Sequence, residues 1–293
     1  MTVDVLFPFY GDVALMKQAV HSVLRQSYRD FKMTVIDDGY PDSSIRGWFD
    51  SLGDDRISYE RNDDNLGANG NFRKVLARAT NELVVVMGSD DVMLPNYLQW
   101  LVDRADEYPG ASIFQPGVVV IDEHGNSVNG LVDAVKSIYR PRGSGVRVLT
   151  GERLAVSLLR GDWLYFPSLG WRAETITNIG FREGYEVVLD LALALDVAMR
   201  GGSLLVDSQL AFMYRRHMSS YSSVRAVSGL RFDEERRFFE NISAEMADKG
   251  WIHAARVARL HLSSRLHAAS LLPATVRHGN RDGARHLLRH LVK

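Results

Sequence analysis

Cysteine is absent from all 293 residues of the chain. Disulfides, thiolate metal sites and cysteine nucleophiles are therefore excluded, and the absence fits a reducing cytosol. No apolar run approaches the roughly 18 to 20 residues that cross a bilayer, and the short run near the N-terminus lacks the basic flank of a signal peptide. We therefore expect a cytoplasmic protein that is soluble or at most peripheral at the inner face of the membrane.

Two nucleotide-binding signatures are missing as well. The first apolar run, Val3–Phe9, is followed by Tyr10-Gly11-Asp12. A nicotinamide dehydrogenase would carry G-x-G-x-x-G at this place, so this class is disfavoured. A nucleotidylyltransferase would carry a glycine-rich loop with arginine and lysine there, and it is kept only as an alternative.

Acidic residues are almost missing from the end of the chain. Residues 249–293 contain nine Lys or Arg and a single acid, Asp282, whereas the preceding 248 residues contain 26 basic and 35 acidic side chains. Leucines alternate with the arginines of this tail, which predicts amphipathic helices. Such helices either pack on protein, including a second copy of the chain, or lie on an anionic membrane surface.

Apolar runs alternate with helical patterns through the first third of the chain. The strands that we predict are Val3–Phe9, Met33–Ile36, Ile57–Glu60, Leu83–Met87 and Ser112–Ile121. This alternation predicts an α/β protein with a doubly wound, mostly parallel sheet. In such sheets ligands bind beyond the carboxyl ends of the strands.

The remainder of the chain gives weaker patterns. Residues 122–148 are interpreted as a loop or hairpin excursion, Tyr165–Arg172 as a strand and Val187–Arg200 as a helix that stops at a pair of glycines. From about Leu230 onward the pattern predicts a helical C-terminal extension with a break at Leu272-Pro273.

Paired aspartates follow two of the predicted strands, at Asp37-Asp38 and Asp90-Asp91. Adjacent carboxylates repel each other, and a hard divalent cation such as Mg²⁺ or Mn²⁺ relieves the repulsion. The alternative is structural, because aspartate is also common at turns and at helix N-termini. Two pairs at the same edge of one sheet favour the binding of a metal and its ligand.

Five stretches in order resemble the opening of glycosyltransferase family 2; they are residues 3–10, 22–28, 35–39, 65–72 and 87–91. The resemblance covers residues 3–107 closely and 165–222 loosely. It implies an inverting, metal-dependent GT-A enzyme that transfers a sugar from a UDP- or dTDP-linked donor. Residues 1–115 would form the nucleotide-sugar-binding half, 116–224 the acceptor-binding half of the same GT-A domain, and 225–293 the helical extension.

The resemblance also implies roles for single residues. The nucleotide would be bound by Pro8, Tyr10, Asp38, Asn65, Gly67 and Asp90. Asp38 would accept a hydrogen bond from the pyrimidine N3, and Asp91 would bind the Mn²⁺ or Mg²⁺ that bridges the diphosphate. Two departures stand out: Gly88 replaces an aspartate that many members have, and Phe72 replaces an arginine. The second departure is closer to a rhamnosyltransferase-like branch.

Inverting transfer needs a base for the proton of the acceptor hydroxyl. Asp190 is our candidate because the apolar residues that precede it would raise its pKa. Asp196 is the competitor, six residues later on the same predicted helix. Family members often carry Glu-Asp here, and this chain has Leu189 in place of the glutamate.

The segment from Tyr214 to His217 resembles the part that closes the family's active site. His217 would coordinate the metal, and Arg215 or Arg216 would pair with phosphate; a solvated basic loop is the alternative. Aromatic side chains that could contact an acceptor sugar are Trp163, Trp171 and Tyr185, although large aromatic residues are more often part of a core.

The expected partners are a nucleotide diphosphate sugar and a saccharide, lipid-linked or small-molecule acceptor, within polysaccharide, glycolipid or glycoside biosynthesis. Nothing in the sequence predicts a nucleic-acid partner. A degenerate GT-A protein that binds nucleotide without turnover remains the non-enzymatic alternative, because of Gly88 and Leu189.

Overall fold

The computed structural model describes residues 1–128, 130–141, 143–216, 230–277 and 280–292. The first part contains the elements β1 (Val3–Phe9), α1 (Val13–Leu24), β2 (Phe31–Asp37), α2 (Ile45–Ser51), β3 (Ile57–Arg61), α3 (Gly67–Leu76), β4 (Leu83–Val86), β5 (Val92–Met93), α4 (Tyr97–Glu107) and β6 (Ile113–Ile121). All five predicted strands of this part are confirmed, with ends that differ by at most two residues.

The second part continues with α5 (Leu131–Tyr139), β7 (Arg147–Thr150), α6 (Gly151–Arg160), β8 (Gly170–Arg172), α7 (Ala173–Ile179), α8 (Leu189–Met199) and β9 (Ser203–Arg215). The C-terminal extension is formed by α9 (Leu230–Asp248), α10 (Ile252–Leu260), α11 (Leu262–Arg277) and α12 (Arg281–Val292).

Nine strands of the described ranges form one sheet in the order β3-β2-β1-β4-β8-β6-β9-β5, with β7 paired to β9. The first four strands in this order run parallel, as the βαβ rhythm predicts. Strands β8, β5 and β7 pair antiparallel with their neighbours. The sheet is therefore parallel in its first half and mixed beyond it.

Strand β1 lies between β2 and β4 because its seven residues are almost wholly apolar and both of its faces are covered. The helix that follows begins sharply: Asp12 Oδ1 accepts hydrogen bonds from the backbone N–H groups of Ala14 and Leu15 at 2.7 and 2.9 Å. The turn from Tyr10 to Asp12 is thereby fixed at the carboxyl end of β1.

Three predictions about local structure are wrong. Residues 122–148 contain the helix α5, which a segment rich in glycine and charge did not reveal. The predicted strand Tyr165–Arg172 is a single turn of 3₁₀ helix followed by the short β8. Helix α11 runs through Pro273, because a proline removes one hydrogen bond from a helix without always ending it.

Two apolar cores cover the two faces of the sheet. Helices α9 and α10 belong to one of them through Phe238, Ile242, Met246 and Ala254. Helices α9, α11 and α12 share a smaller cluster around Phe232, Ala268 and Leu287. Among the described helices, none has both the length and the apolar character for crossing a bilayer.

Candidate active site

Asp38 lies at the carboxyl end of β2 and is 2% exposed. Its Oδ1 accepts hydrogen bonds from Asn62 Nδ2 at 2.7 Å and from the backbone N–H of Leu66 at 2.8 Å. Both bonds use the same carboxylate oxygen. Because carboxylates accept up to about four hydrogen bonds, Asp38 retains capacity for a further donor.

Asp37, its neighbour, has a structural role. This side chain is fully buried and accepts hydrogen bonds from the Tyr59 hydroxyl at 2.5 Å and the backbone N–H of Tyr40 at 2.7 Å. Burial, together with the hydrogen bond to Asp37, raises the pKa of Tyr59 to about 12. Asp37 therefore fixes the loop that carries Asp38, and the two adjacent aspartates have different tasks.

Tyr10 offers an exposed ring beside this loop. It is 55% exposed, and its ring lies 5.5 Å from that of Tyr40 in an edge-to-face arrangement. Pro8 is half-buried on β1 and is paired with Ile36. An exposed aromatic face next to a held carboxylate is a suitable surface for a planar base.

Asn65 and Gly67 form the turn into α3. Asn65 Nδ2 donates to the backbone oxygen of Asp38 at 3.0 Å, and its Oδ1 accepts from the N–H of Gly67, also at 3.0 Å. Gly67 has φ of +73°, a backbone conformation that favours glycine. These two residues hold the loop after β2 against the start of α3, so the structure brings Asn65, Gly67 and Asp38 together.

Asp90 and Asp91 follow β4, and their environments differ. Asp91 is 1% exposed, and its Oδ1 accepts the backbone N–H of Arg215 at 2.7 Å. Burial and the negative charge of Asp90 raise the pKa of Asp91 well above its usual value. Asp90 is only half-buried. A cation beside the pair would offset the cost of keeping Asp91 ionised.

Gly88 explains how Asp91 reaches its buried position. A Cβ placed on Gly88 would lie 2.4 Å from Asp91 Oδ2 and 3.2 Å from Asp90 Oδ1. A side chain at position 88 is therefore incompatible with the present position of the Asp91 carboxylate. The departure from the family pattern at Gly88 and the inward position of Asp91 are two aspects of one arrangement.

The guanidinium of Arg215 is occupied by protein oxygens. Arg215 is 3% exposed and donates from Nε to the backbone oxygen of Asp90 at 2.7 Å, from Nη1 to the backbone oxygens of Asp122 and Glu123, and from Nη2 to Gln18. Arg215 thus braces the Asp90-Asp91 turn. This use of its donors argues against the phosphate contact that the sequence suggested for it.

Arg216 is partly available. Its Nη2 donates to Asp133 Oδ1 at 2.8 Å, and its Nε has no hydrogen-bond partner among the described residues. The Tyr165 hydroxyl donates to the same Asp133 oxygen at 3.1 Å. His217, the predicted metal ligand that follows Arg216, lies outside the described residues.

Asp190 and Asp196 both lie on α8 and have unlike surroundings. Asp190 is in the first turn, and burial together with the negative charge of Asp162 raises its pKa to about 7. Asp196 accepts two hydrogen bonds from Arg182, at 2.7 and 2.5 Å, and Arg182 also pairs with Glu245 of α9. Asp196 is therefore committed to an ion pair with the C-terminal extension, whereas Asp190 has the pKa of a base near neutral pH.

Tyr214 connects the two groups of acids. Burial raises the pKa of Tyr214, and the negative charges of Asp91, Asp90 and Asp190 raise it further. Electrostatic effects fall with distance and screening, so Tyr214 lies within electrostatic range of all three carboxylates. The acids that follow β4 and the acid that begins α8 therefore act on one phenol, although 99 residues separate Asp91 from Asp190 in the sequence.

The aromatic residues expected to contact an acceptor are mostly internal. Trp163 and Trp171 are fully buried in the core, and their rings present no surface to a ligand. This packing is the usual outcome for large aromatic residues in an α/β protein. Tyr185 is 9% exposed, and its hydroxyl accepts a hydrogen bond from Asn241 Nδ2 of α9 at 3.0 Å.

Several site residues were missed by the sequence reasoning. Asp162 and Lys136 act electrostatically on Asp190, and Arg231 of α9 feels the charges of both Asp162 and Asp190. On the nucleotide side, Lys74 Nζ donates to Asn62 Oδ1 at 2.6 Å. No motif marked these residues, because their positions relative to the site depend on tertiary packing.

Within the described ranges, no three histidine, aspartate or glutamate side chains are grouped so as to hold a metal ion. Two adjacent carboxylates still fit the usual binding of Mg²⁺, which takes one or two carboxylates and completes its ligands with waters and substrate phosphates. The donor set of Asp90 and Asp91 is therefore suited to a cation that arrives with a diphosphate.

Comparison with known families gives a decisive match. The sequence model of Glycosyl transferase family 2 covers residues 4–153, just over half of the chain. The chain belongs to glycosyltransferase family 2. This match spans the strands and loops that carry Asp38, Asn65 and Asp91, and it confirms the family that the sequence resembles.

Solved structures confirm the GT-A fold. S. aureus TarS residues 1–349 in complex with UDP-GlcNAc superposes with a TM-score of 0.63 over 98% of this family 2 chain and 90% of that one, at 16% identity. At this identity the likeness concerns the fold alone. The same protein in complex with UDP gives a TM-score of 0.61.

Relatives in sequence extend over different shares of the chain. An uncharacterized Mycobacterium tuberculosis protein is 25% identical over 94% of this chain and 90% of its own length. A Campylobacter jejuni GalNAc(5)-diNAcBac-PP-undecaprenol β-1,3-glucosyltransferase is 31% identical over 42% of this chain and 40% of its own length. An uncharacterized Nostoc glycosyltransferase is 27% identical over 61% of the chain, which spans about half of that protein.

Proposed function

We propose that this glycosyltransferase moves a sugar, with inversion, from a nucleoside diphosphate to an acceptor hydroxyl. The observation that supports the proposal is that burial and Asp162 raise the pKa of Asp190 to about 7, while Asp190, Asp90 and Asp91 all raise the pKa of Tyr214. The reaction needs a base that removes the proton of the acceptor hydroxyl, and a pKa near 7 suits this role. It also needs positive charge beside the leaving diphosphate, which a cation bound by the paired carboxylates would supply.

In the proposed reaction the acceptor oxygen attacks the anomeric carbon and forms the new glycosidic bond. Asp190 takes the proton from that hydroxyl, and the bond from the anomeric carbon to the phosphate oxygen breaks with its electrons on the diphosphate. A pKa near 7 suits this task, because about half of Asp190 is then ionised at neutral pH while still being basic enough to accept a proton.

The leaving diphosphate would lie beside Asp90 and Asp91. A divalent cation, Mn²⁺ or Mg²⁺, supplies positive charge there when it is bound. In this proposal both carboxylates bind the cation. Asp90 is half-exposed, whereas Asp91 is buried and accepts the backbone N–H of Arg215. The guanidinium of Arg216 is a second source of positive charge, and its Nε has no hydrogen-bond partner among the described residues. His217 stays a predicted ligand.

On the nucleotide side, we propose that the base stacks beside Tyr10 and that the uncommitted oxygen of Asp38 accepts the N–H of a pyrimidine. The exposed ring of Tyr10 and the single-oxygen bonding of Asp38 support this assignment. UDP and dTDP share that N–H, so both fit. The complexes of TarS with UDP-GlcNAc and UDP favour a uracil nucleotide, and the rhamnosyltransferase-like branch stays a prediction.

For the acceptor, we propose a lipid-linked saccharide of the cell envelope. The name of the Campylobacter relative describes transfer to a polyprenyl-diphosphate glycan. The C-terminal extension also has a suitable surface: exposed apolar residues form one stripe along α11, and they are Leu262, Leu266, Ala269, Pro273 and Val276. Three of these, Leu262, Leu266 and Val276, are 58, 66 and 60% exposed.

We call this surface the α11 stripe. The C-terminal extension also carries exposed arginines, which are Arg256, Arg259, Arg277, Arg281 and Arg289. Exposed apolar residues together with cations complement an anionic lipid surface, to which each basic residue contributes about 1 kcal/mol. Vesicle flotation at low salt should carry the protein with anionic but not neutral lipid, and Leu266→Glu should reduce this. Leu210→Glu, at an exposed leucine of β9 outside the C-terminal extension, is the control. Concentration-dependent dimerisation without flotation would assign the stripe to a second copy.

Thermal unfolding with nucleotide sugars, with and without Mn²⁺, tests the proposed activity. A ligand at about 100 times its Kd stabilises the folded state by about 2.7 kcal/mol. The correct nucleotide sugar should therefore raise Tm, whereas its sugar without the nucleotide should not. The rise should be larger when Mn²⁺ is present. Donor hydrolysis measured in parallel separates an active enzyme from a protein that binds nucleotide without turnover. Binding without hydrolysis or transfer for any acceptor would favour the degenerate alternative.

A further inference from the structure

The turn that leads into α8 is held by a residue of the C-terminal extension. Glu234 of α9 is 6% exposed, and its Oε1 accepts the backbone N–H groups of Glu186, Val187 and Val188 at 2.8, 2.6 and 3.1 Å. Three consecutive N–H groups that converge on one carboxylate oxygen form a strong anion-binding arrangement.

The contact with Glu234 fixes the residues immediately before α8. Val188 is the residue that precedes the helix, and a valine side chain has no acceptor for the free N–H groups of a helix start. Asp190 lies two residues further along, and its own Oδ1 is used by the N–H of Leu191 at 2.8 Å. The position of Asp190 therefore depends on a carboxylate that is 44 residues away in the sequence.

A second residue of the same helix reaches the site. Arg231 lies one turn before Glu234, and its Nε donates to Glu235 at 2.5 Å. Although burial lowers it, the pKa of Arg231 is raised by the charges of Glu235, Asp162 and Asp190. The groups that face Asp190 are Asp162 after α6, Lys136 of α5, Tyr214 of β9 and Arg231 of α9.

We propose that Glu234 of α9 positions the base Asp190 by holding the turn at residues 186–188. Helix α9 thereby contributes to the active site. The inference rests on the proposed role of Asp190. Glu234 touches no reacting atom in this scheme and is a positioning residue. Loss of its contact lets the start of α8 move, and a displacement of about 1 Å in a catalytic group costs on the order of 10²-fold in rate.

The test compares Glu234→Ala and Glu234→Gln with Glu240→Ala, an exposed glutamate on the same helix. We expect kcat to fall about 10- to 100-fold in Glu234→Ala and several-fold in Glu234→Gln, which keeps an acceptor oxygen without the charge. The Kd of the nucleotide sugar should stay within about twofold in both, and Glu240→Ala should match the wild type.

The pH profile separates positioning from a general loss of structure. Asp190 acts as base only when ionised, so activity should rise with pH through the pKa of about 7. A loosened turn admits water to Asp190, which reduces the burial that raises its pKa. The acidic limb of kcat should therefore shift to lower pH in the Glu234 variants, which inactive unfolded protein in the sample cannot cause.

Unchanged kcat and pH limb in folded Glu234→Ala would overturn the proposal, as would equal losses of donor binding and kcat. Should Glu234→Ala fail to fold, Glu234→Gln decides by the same two readings. Asp190→Asn with normal turnover would instead refute the proposed base, which distinguishes failure of this inference from failure of the function on which it rests.

Discussion

The nucleotide-binding loops of the proposed donor side and the turn that carries Asp190 on the proposed acceptor side are held by different kinds of contact. On the donor side Asp38, Asn62 and Asn65 hold one another within about thirty residues of sequence, at the ends of adjacent parallel strands. On the acceptor side Asp190 is held through Glu234 of α9, and its pKa is raised by burial and by the charge of Asp162, which follows α6.

Because the contacts differ, substitutions on the two sides should have different effects. Local hydrogen bonds at strand ends are maintained by the sheet itself, so a change on the donor side should alter binding without moving the rest of the site. The acceptor side depends on packing between helices distant in sequence, so a change there should alter turnover through position. Variants on either side test this difference.

The largest effect is expected on the donor side, from Asp91→Ala. In the proposed reaction, loss of the carboxylate would remove the cation and, with it, several kcal/mol of charge stabilisation, so transfer should fall by at least about 10³-fold. Mn²⁺-dependent binding of the nucleotide, measured by calorimetry, should disappear as well. Asp90→Asn should be milder; if it is the more severe change, the exposed carboxylate and not the buried one is the principal ligand.

A smaller effect, of about 10²-fold or more on kcat, is expected from Asp190→Asn on the acceptor side. Donor affinity should stay within a few-fold, because Asp190 lies on the far side of the sugar in the proposed reaction. Steady-state kinetics with a titrated donor measures both quantities. A parallel loss of donor binding would contradict the separation of the two sides.

The smallest effect on turnover is expected from Asp196→Asn, six residues along the same helix. This change weakens the ion pair with Arg182, which is partly buried and shared with Glu245. Stability should fall by about 1–2 kcal/mol, seen as a lower denaturation midpoint, while kcat at a temperature well below unfolding stays near normal. If Asp196→Asn is worse for kcat than Asp190→Asn, the base has been assigned to the wrong residue.

Sequence reasoning succeeded where a pattern is local. Strand β1 follows from seven nearly continuous apolar residues, and Asp38 and Asp91 follow from polar pairs placed directly after such runs. It missed α5: Leu131–Tyr139 has apolar residues at helical spacing, but the glycines and charges on either side favoured a loop. Trp163 and Trp171 were named as residues that could contact an acceptor, with a core position as the alternative, and the core encloses both.

The family, the parallel half of the sheet and the polar edge where a nucleotide is expected could be read from the sequence, because apolar periodicity and strand-end motifs are properties of short stretches. The burial that raises the pKa of Asp190, the ion pair of Asp196 with Arg182 and the hold of Glu234 on the turn before α8 became visible only in the folded chain. These outcomes depend on how helices far apart in sequence pack, and their burial and charge exist only once the chain has folded.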